Sequence, residues 1–172
     1  MESGQTFDLL IEKHSPELLR YLRRLMGDWE QAQDCLQDVY LRAYRAYGRL
    51  PQGANTRAWL YRIATNTART VAARAGRRAE RTRALVDDQL SDGSTPEEIV
   101  EQREWLQAVA KAVEQLPHKQ RAALILRRFQ GLGYGEIGHA IGCSQAAARA
   151  NTYQAVRRLR AALGGKEEGV GP

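Results

Sequence analysis

Residues 117–163 read PHKQRAALILRRFQGLGYGEIGHAIGCSQAAARANTYQAVRRLRAAL, and two glycine punctuations in that run leave few ways to fold it. A first segment carries Ala122, Ala123, Leu126 and Phe129 at helical spacing and stops at Gly131. A second, shorter one carries Tyr134, Ile137, Ala140 and Ile141. It ends at Gly142, because glycine tolerates the left-handed conformation that closes helices. Ser144 is a good N-cap for a third helix reaching about Leu163. A short helix, a glycine-containing turn and a longer basic helix form the helix-turn-helix pattern. No period-2 alternation marks a strand anywhere in the chain, so the expected fold class is all-α.

At 100° per residue the third helix has two faces. Ala148, Thr152, Ala155, Val156, Leu159 and Leu163 fall on one side and are expected to face a core. The opposite side is centred on Ala150 and carries Ala146, Ala147, Gln154 and Arg157, flanked by Arg149, Arg160, Asn151 and Arg158. With Gln145 after the Ser144 cap, this is the pattern of a helix that meets DNA, since its capped end offers backbone N–H groups to phosphate. Periodicity alone is also compatible with the end of a three-helix bundle with a solvated basic face.

Charge separates these readings. Residues 41–84 hold eleven arginines against one acid, and residues 85–105 hold seven acids against one arginine. Residues 106–172 are basic again, so the net +6 of the 172-residue chain conceals two basic blocks split by an acidic one. Two such blocks predict two contacts with a polyanion rather than one diffuse attraction.

Upstream, residues 5–26 read as one amphipathic helix or as a pair broken at Ser15-Pro16, with Phe7, Leu10, Ile11, Leu18, Leu19, Leu22 and Leu25 as the apolar set. Asp28 caps a helix over residues 29–47. Its inward stripe is Ala32, Cys35, Leu36, Val39, Tyr40, Ala43 and Tyr47. Asp34, Gln37, Asp38, Leu41 and Arg45 point outward with Arg42 at the margin, and an exposed Leu41 in a polar stripe hints at a partner. The GRLPQGANT stretch over residues 48–56 is a loop. Asn55 or Thr56 caps a further helix whose apolar set is Trp59, Leu60, Ile63, Ala64, Thr67 and Val71. Its other side presents Arg57, Tyr61, Arg62, Asn66, Arg69, Arg74, Arg77 and Arg78. Arginines interleaved with an aromatic and an asparagine suit a nucleic-acid backbone and an unstacked base.

The domain plan that follows is a helical unit over 1–78, a flexible acidic linker over 79–95, a second unit over 96–165 and a disordered tail over 166–172. The second unit starts with Thr95-Pro96-Glu97-Glu98, a capped helix start, and its first helix carries Ile99, Val100, Trp105, Leu106, Val109, Val113 and Leu116. Cys35 and Cys143 sit in different units with no metal-ligand spacing, which argues against a disulfide framework or zinc. His14, His118 and His139 are scattered, and the last two read as surface residues. No phosphate loop, metal cluster, cofactor motif, signal peptide or bilayer-length apolar run appears. The expectation is a cytoplasmic, non-enzymatic protein without cofactor, membrane contact or small-molecule substrate.

Taken together, DCLQDVYLRAYRAY, NTRAWLYRIATNTAR, the acidic tether and LPHKQRAALILRRFQGLGYGEIGHAIGCS resemble, in order and spacing, a bacterial extracytoplasmic-function sigma factor, the small two-domain branch of the primary sigma family. The resemblance implies that Asp34, Gln37, Asp38, Leu41 and Arg42 dock on the clamp coiled coil of core RNA polymerase. It implies that Asn55, Arg57, Tyr61, Arg62, Asn66 and Arg69 meet the −10 promoter element, the 48–56 loop taking a flipped base. It also implies that Ser144, Gln145, Ala147, Arg149, Asn151 and Arg157 meet the −35 element. Further implied partners are the polymerase flap and an anti-sigma factor, and the linker would follow the RNA-exit path. Family members commonly show S-x-G-T-V-K-S-R-L-S-R-A-R at the start of the third helix, where this chain has SQAAARANTYQAV. Arg149 keeps the usual basic charge, while Asn151, Gln154 and Val156 stand where arginine is frequent. The rival readings are a free-standing helix-turn-helix regulator, which has no need of the 29–69 block, and a protein-binding adaptor.

Overall fold

The computed structural model describes residues 2–75 and 96–164. Among them run seven helices and no strand: α1 (Glu2–Met26), α2 (Trp29–Tyr47), α3 (Thr56–Ala75), α4 (Pro96–Glu114), α5 (His118–Arg128), α6 (Tyr134–Ile141) and α7 (Gln145–Ala162). The expected linker, the C-terminal tail, Arg77, Arg78 and the Thr95 cap lie outside the described residues.

Helix α1 does not break at Ser15-Pro16. Proline inside a helix costs about 3 kcal/mol, but Leu18, Tyr21, Leu22 and Leu25 beyond it are buried, as is Phe7 before it. Each contributes about 1.5–3 kcal/mol on burial, so one continuous helix that buries all five outweighs the proline. The Ser15 hydroxyl donates to the Ile11 carbonyl, and the Tyr40 hydroxyl donates to Ser15 Oγ at 2.6 Å, which ties this turn to α2.

Asp28 caps α2 as expected, accepting from the Gln31 N–H at 2.9 Å. Asn55 rather than Thr56 caps α3, accepting from the Ala58 N–H at 2.9 Å. In α4 the expected apolar set is only partly inward. Leu106 and Val113 are buried together with Ala110, and Leu116 is buried just past the helix end, whereas Val100 and Trp105 are exposed. The buried residues repeat at i, i+4, i+7, and the other two fall off that stripe.

The helix-turn-helix follows the sequence reading. Gly142 is left-handed at φ 70°, and Ser144 caps α7 by accepting from the Ala147 N–H at 3.1 Å. Gly138 sets the close crossing of α6 on the turn: a Cβ there would lie 2.7 Å from the Cys143 carbonyl oxygen. Such a distance excludes any side chain unless backbone moves.

The two halves of the chain pack on each other. Helix α3 lies along α6, and α1 touches α5. One cluster of buried side chains runs from Phe7 in α1 through Leu60 and Ala64 in α3 to Ile125, Ile137 and Ala148.

Candidate nucleic-acid interface

Three surfaces carry the residues singled out from the sequence. The first is the outer face of α2. Ala32, Cys35, Leu36, Val39 and Ala43 are buried, and this fixes the helix so that Asp34, Gln37, Asp38, Leu41 and Arg42 all stand exposed. Leu41 is 57% exposed and Tyr44, three residues on, is 66% exposed. Tyr44 lies edge-on to Phe7 with centroids 5.4 Å apart. Tyr44 was not singled out from the sequence, although its i,i+3 spacing from Leu41 places both on one face. Burial pushes the thiol of Cys35 up to about 12, with Asp38 adding to the shift and Arg42 opposing it.

The second surface is α3 with the loop before it. Arg62, Asn66 and Arg69 are exposed, as expected. Tyr61 is not: it is fully buried, its ring edge-on to Tyr21 with centroids 5.2 Å apart. Its hydroxyl lies 3.0 Å from Glu17 Oε2 and 3.1 Å from Gln130 Oε1. A face assignment at 100° per residue placed it outward, but α1 and the turn after α5 cover that side of α3. Arg57 is held rather than free. Its Nη2 donates to Glu17 at 2.7 Å and to the Gln130 carbonyl at 2.9 Å, and its Nε adds a bond to Glu17 at 3.0 Å. Asn55 donates through Nδ2 to Glu136 Oε1 at 3.0 Å.

Glu17 is the hub of this arrangement. Burial works to raise its carboxyl, but bonds from Arg57, His14 and Tyr61 prevail and hold it down at about 2. The charge-assisted partners win because three donors converge on one carboxylate. A cleft of about 660 Å³ opens beside them, its wall formed by Leu50, Pro51, Ala54, Ala58 and Trp59 and its far side by Gly135, Glu136 and His139 of α6.

The third surface is the outer face of α7. Ala148, Thr152 and Ala155 are buried, while Val156, Leu159 and Leu163 are half-buried at the end of the helix. Ser144, Gln145, Arg149 and Arg157 are exposed, and Ala147 is half-covered. Arg149 and Arg127 stack on the ring of Tyr134 at 5.2 and 4.7 Å from its centroid, which holds Arg149 beside the start of α7. Asn151 is half-buried and donates to the Ala147 carbonyl at 2.9 Å. Tyr153, 69% exposed, joins Gln145, Ala146, Arg149 and Ala150 along a shallow groove. The sequence reading missed Tyr153. Its three-residue spacing from Ala150, the centre of the outward face, was the available signal.

The sequence pattern puts His118 at the surface, yet its imidazole is half-buried where α5 meets the first three helices, among Leu25, Met26, Gln31, Ala68 and Ala72. Burial pushes it down to about 4, and Arg121, Arg69 and Lys119 push the same way against a backbone hydrogen bond with Thr65. His14 is also buried, against Glu17. Among the described residues no helix is long and apolar enough to cross a membrane.

Residues 10–78 match sigma-70 region 2, and residues 106–159 match sigma-70 region 4. The chain is 32% identical over 167 residues to the RNA polymerase sigma-H factor of Pseudomonas aeruginosa, covering 92% of this chain and 86% of that protein. It is 28% identical over 159 residues to the ECF RNA polymerase sigma-E factor of Escherichia coli K12, covering 88% and 83%. Its fold is that of the sigma factor RpoE solved in complex with the anti-sigma factor NepR from Bartonella quintana, at TM-score 0.65, 23% identity and coverage of 95% and 98%. It is likewise that of CnrH solved with the cytosolic domain of CnrY, at TM-score 0.68, 22% identity and coverage of 95% and 91%. The chain therefore belongs to the sigma-70 family, in its extracytoplasmic-function branch: it is an RNA polymerase sigma factor, a DNA-binding transcription initiation factor and not an enzyme.

Proposed function

We propose a division of labour among the three surfaces. The α2 face, through Asp34, Gln37, Asp38, Leu41 and Arg42, with Tyr44 added from its exposure, docks on the clamp coiled coil of core polymerase. Arg62, Asn66 and Arg69 engage the melting −10 element together with Asn55 and Arg57, while the buried Tyr61 braces that helix from beneath, and the cleft beside Trp59 receives an extruded base. Extrusion costs a few kcal/mol, which phosphate contacts from the arginines and stacking offset. The α7 face, through Ser144, Gln145, Ala147, Arg149, Asn151 and Arg157, enters the major groove at the −35 element. Its donors are few, so methyl contacts, backbone amides and DNA shape carry much of its preference. The functional units are 1–78 and 96–165, with 79–95 as the tether between them and 166–172 as a tail. The protein works in the cytoplasm and also meets the polymerase flap.

One observation carries this reading. An exposed acidic-and-apolar helix face, a basic helix behind a cleft, and a capped basic helix-turn-helix occur in one chain, in an order that a simple duplex-binding regulator does not require. An anti-sigma factor as a further partner is supported by the likeness to RpoE, which was solved with NepR. The test is reconstitution with core polymerase and a fork template: the mixture should form an open complex and initiate. If the chain neither binds core nor opens any promoter from a genomic pool, the reading fails. Asp38→Arg should weaken core binding at least tenfold without changing duplex binding; equal loss of both would instead indicate misfolding.

A further inference from the structure

Polar side chains along the outward face of α7 are turned back onto the protein. Ser144 Oγ accepts from the Ala147 N–H, and Asn151 gives an amide N–H to the Ala147 carbonyl. Gln120 Nε2 donates to Gln154 Oε1 at 2.9 Å. The Arg149 guanidinium lies over the Tyr134 ring. Gln145 Oε1 faces the start of α6, 3.8 Å from where a Cβ on Gly135 would lie.

What stands outermost is carbon. Ala146, Ala150 and Tyr153 are exposed, and they repeat at i, i+4 and i+7, so they form one ridge along the helix. Arg149 lies beside this ridge and Arg157 continues it. Helix α7 carries four arginines and no acid, so its ridge sits in a field that draws a polyanion. At 1.5 Å per residue the ridge is about 10 Å long, close to three base-pair steps of about 3.4 Å. The major groove offers an apolar ridge one kind of partner on the base edges, the C5 methyl of thymine.

We propose that Ala146, Ala150 and Tyr153 determine specificity at the −35 element by packing on thymine methyl groups, so that α7 selects about two or three A·T pairs through carbon contacts rather than hydrogen bonds. The proposal rests on the sigma-factor reading of α7 given above and names the base chemistry that face reads. Cytosine in a thymine's place fails twice. It lacks the methyl, and it presses an N4 amino donor against a side chain that cannot accept from it. Arg149 and Arg157 take phosphates, which sets the register of the helix without reading sequence. Loss of one buried methyl weakens binding roughly three- to fivefold.

The test uses holoenzyme assembled from the full chain and core polymerase, on a promoter recovered from a genomic pool by open-complex formation. Thymines of its −35 segment are replaced one at a time by deoxyuridine, which removes the methyl and keeps every base-pair hydrogen bond. At about two or three positions the replacement should weaken promoter binding roughly three- to fivefold, with the salt slope unchanged because no phosphate contact is lost. If no replacement changes the affinity, the proposal is overturned without any protein variant. Ala150→Gly and Tyr153→Ala, each checked for helicity by circular dichroism, should abolish the deoxyuridine penalty at the thymine that side chain covers and leave it at the others. Penalties that persist at every position in both variants place the effect in DNA shape and also overturn the proposal. Failure of the holoenzyme to open any promoter removes the sigma-factor reading instead. Duplexes drawn from a randomised pool by the chain alone then carry the same deoxyuridine comparison, with the same result expected and the same result overturning it.

Discussion

Glu17→Ala is the perturbation that tests the hub of the structure most directly. The carboxylate accepts from Arg57, Tyr61 and His14, and its side chain is only 17% exposed. Truncation takes the carboxylate from a guanidinium that keeps only the Gln130 carbonyl, from a buried hydroxyl that keeps only Gln130 Oε1, and from the His14 imidazole. Removing one partner of a buried ion pair costs about 3–5 kcal/mol. The Arg57 side chain is 34% exposed, so water recovers part of its loss and the expected cost is about 2–3 kcal/mol. For a chain of this size that is a fall of roughly 5–10 °C in Tm. Urea melts at pH 7 give the value directly, and a cycle with Arg57→Met isolates the pair. The pH dependence has a definite sign. Because Glu17 sits at about 2 in the folded chain against 4.5 normally, its contribution is complete above about pH 4.5 and is lost as pH falls from there toward 2. The Glu17→Ala deficit must therefore shrink in the same window. A deficit below about 0.5 kcal/mol at pH 7, or one that does not change between pH 5 and 3, would refute the reasoning.

Other consequences can be checked independently. His118 is pushed down to about 4, so docking of the two units should be at full strength above pH 6.5 and weaken as pH falls toward 4. Arg69 from α3 and Arg121 and Lys119 from α5 all oppose its protonation; His118→Gln should flatten the pH dependence of stability measured by urea melts. Gly138→Ala places a methyl 2.7 Å from the Cys143 carbonyl oxygen and should cost about 1–3 kcal/mol by thermal melt, with loss of duplex binding. Arg149→Ala should weaken duplex binding and reduce the salt slope by about one unit. Tyr153→Ala should weaken it with the slope unchanged, since a phenol neutralises no phosphate; fluorescence anisotropy across a salt series separates the two.

Much of the molecule was written locally. Asp28, Asn55 and Ser144 announce helix starts because a short polar side chain satisfies a backbone N–H within three residues. Gly142 announces a stop because its left-handed φ penalises other residues. The inward stripes of α2 and α7 follow from the helical period, and the alternation of basic and acidic blocks pointed to two contacts with nucleic acid. All of these depend on neighbours in sequence. Pro16 shows the limit of that logic: its local penalty is real, but burial of Phe7 and Leu18 on one helix outweighs it. Tyr61 and His118 show it again. Each lies on a helix face that period alone leaves open, and each is covered by a segment distant in sequence, Tyr61 by Glu17 and Gln130, His118 by α1, α2 and α3. The pairing of Asn55 with Glu136, 81 residues away, was likewise invisible. Periodicity says which side of a helix is apolar, not which polar side will meet another module. The sequence by itself determined most helix starts and stops, the Asp28 and Ser144 caps and the basic faces that DNA requires. Only the tertiary structure decided which of those faces is open, because long-range acceptors such as Glu136 and Gln130 have no local signature.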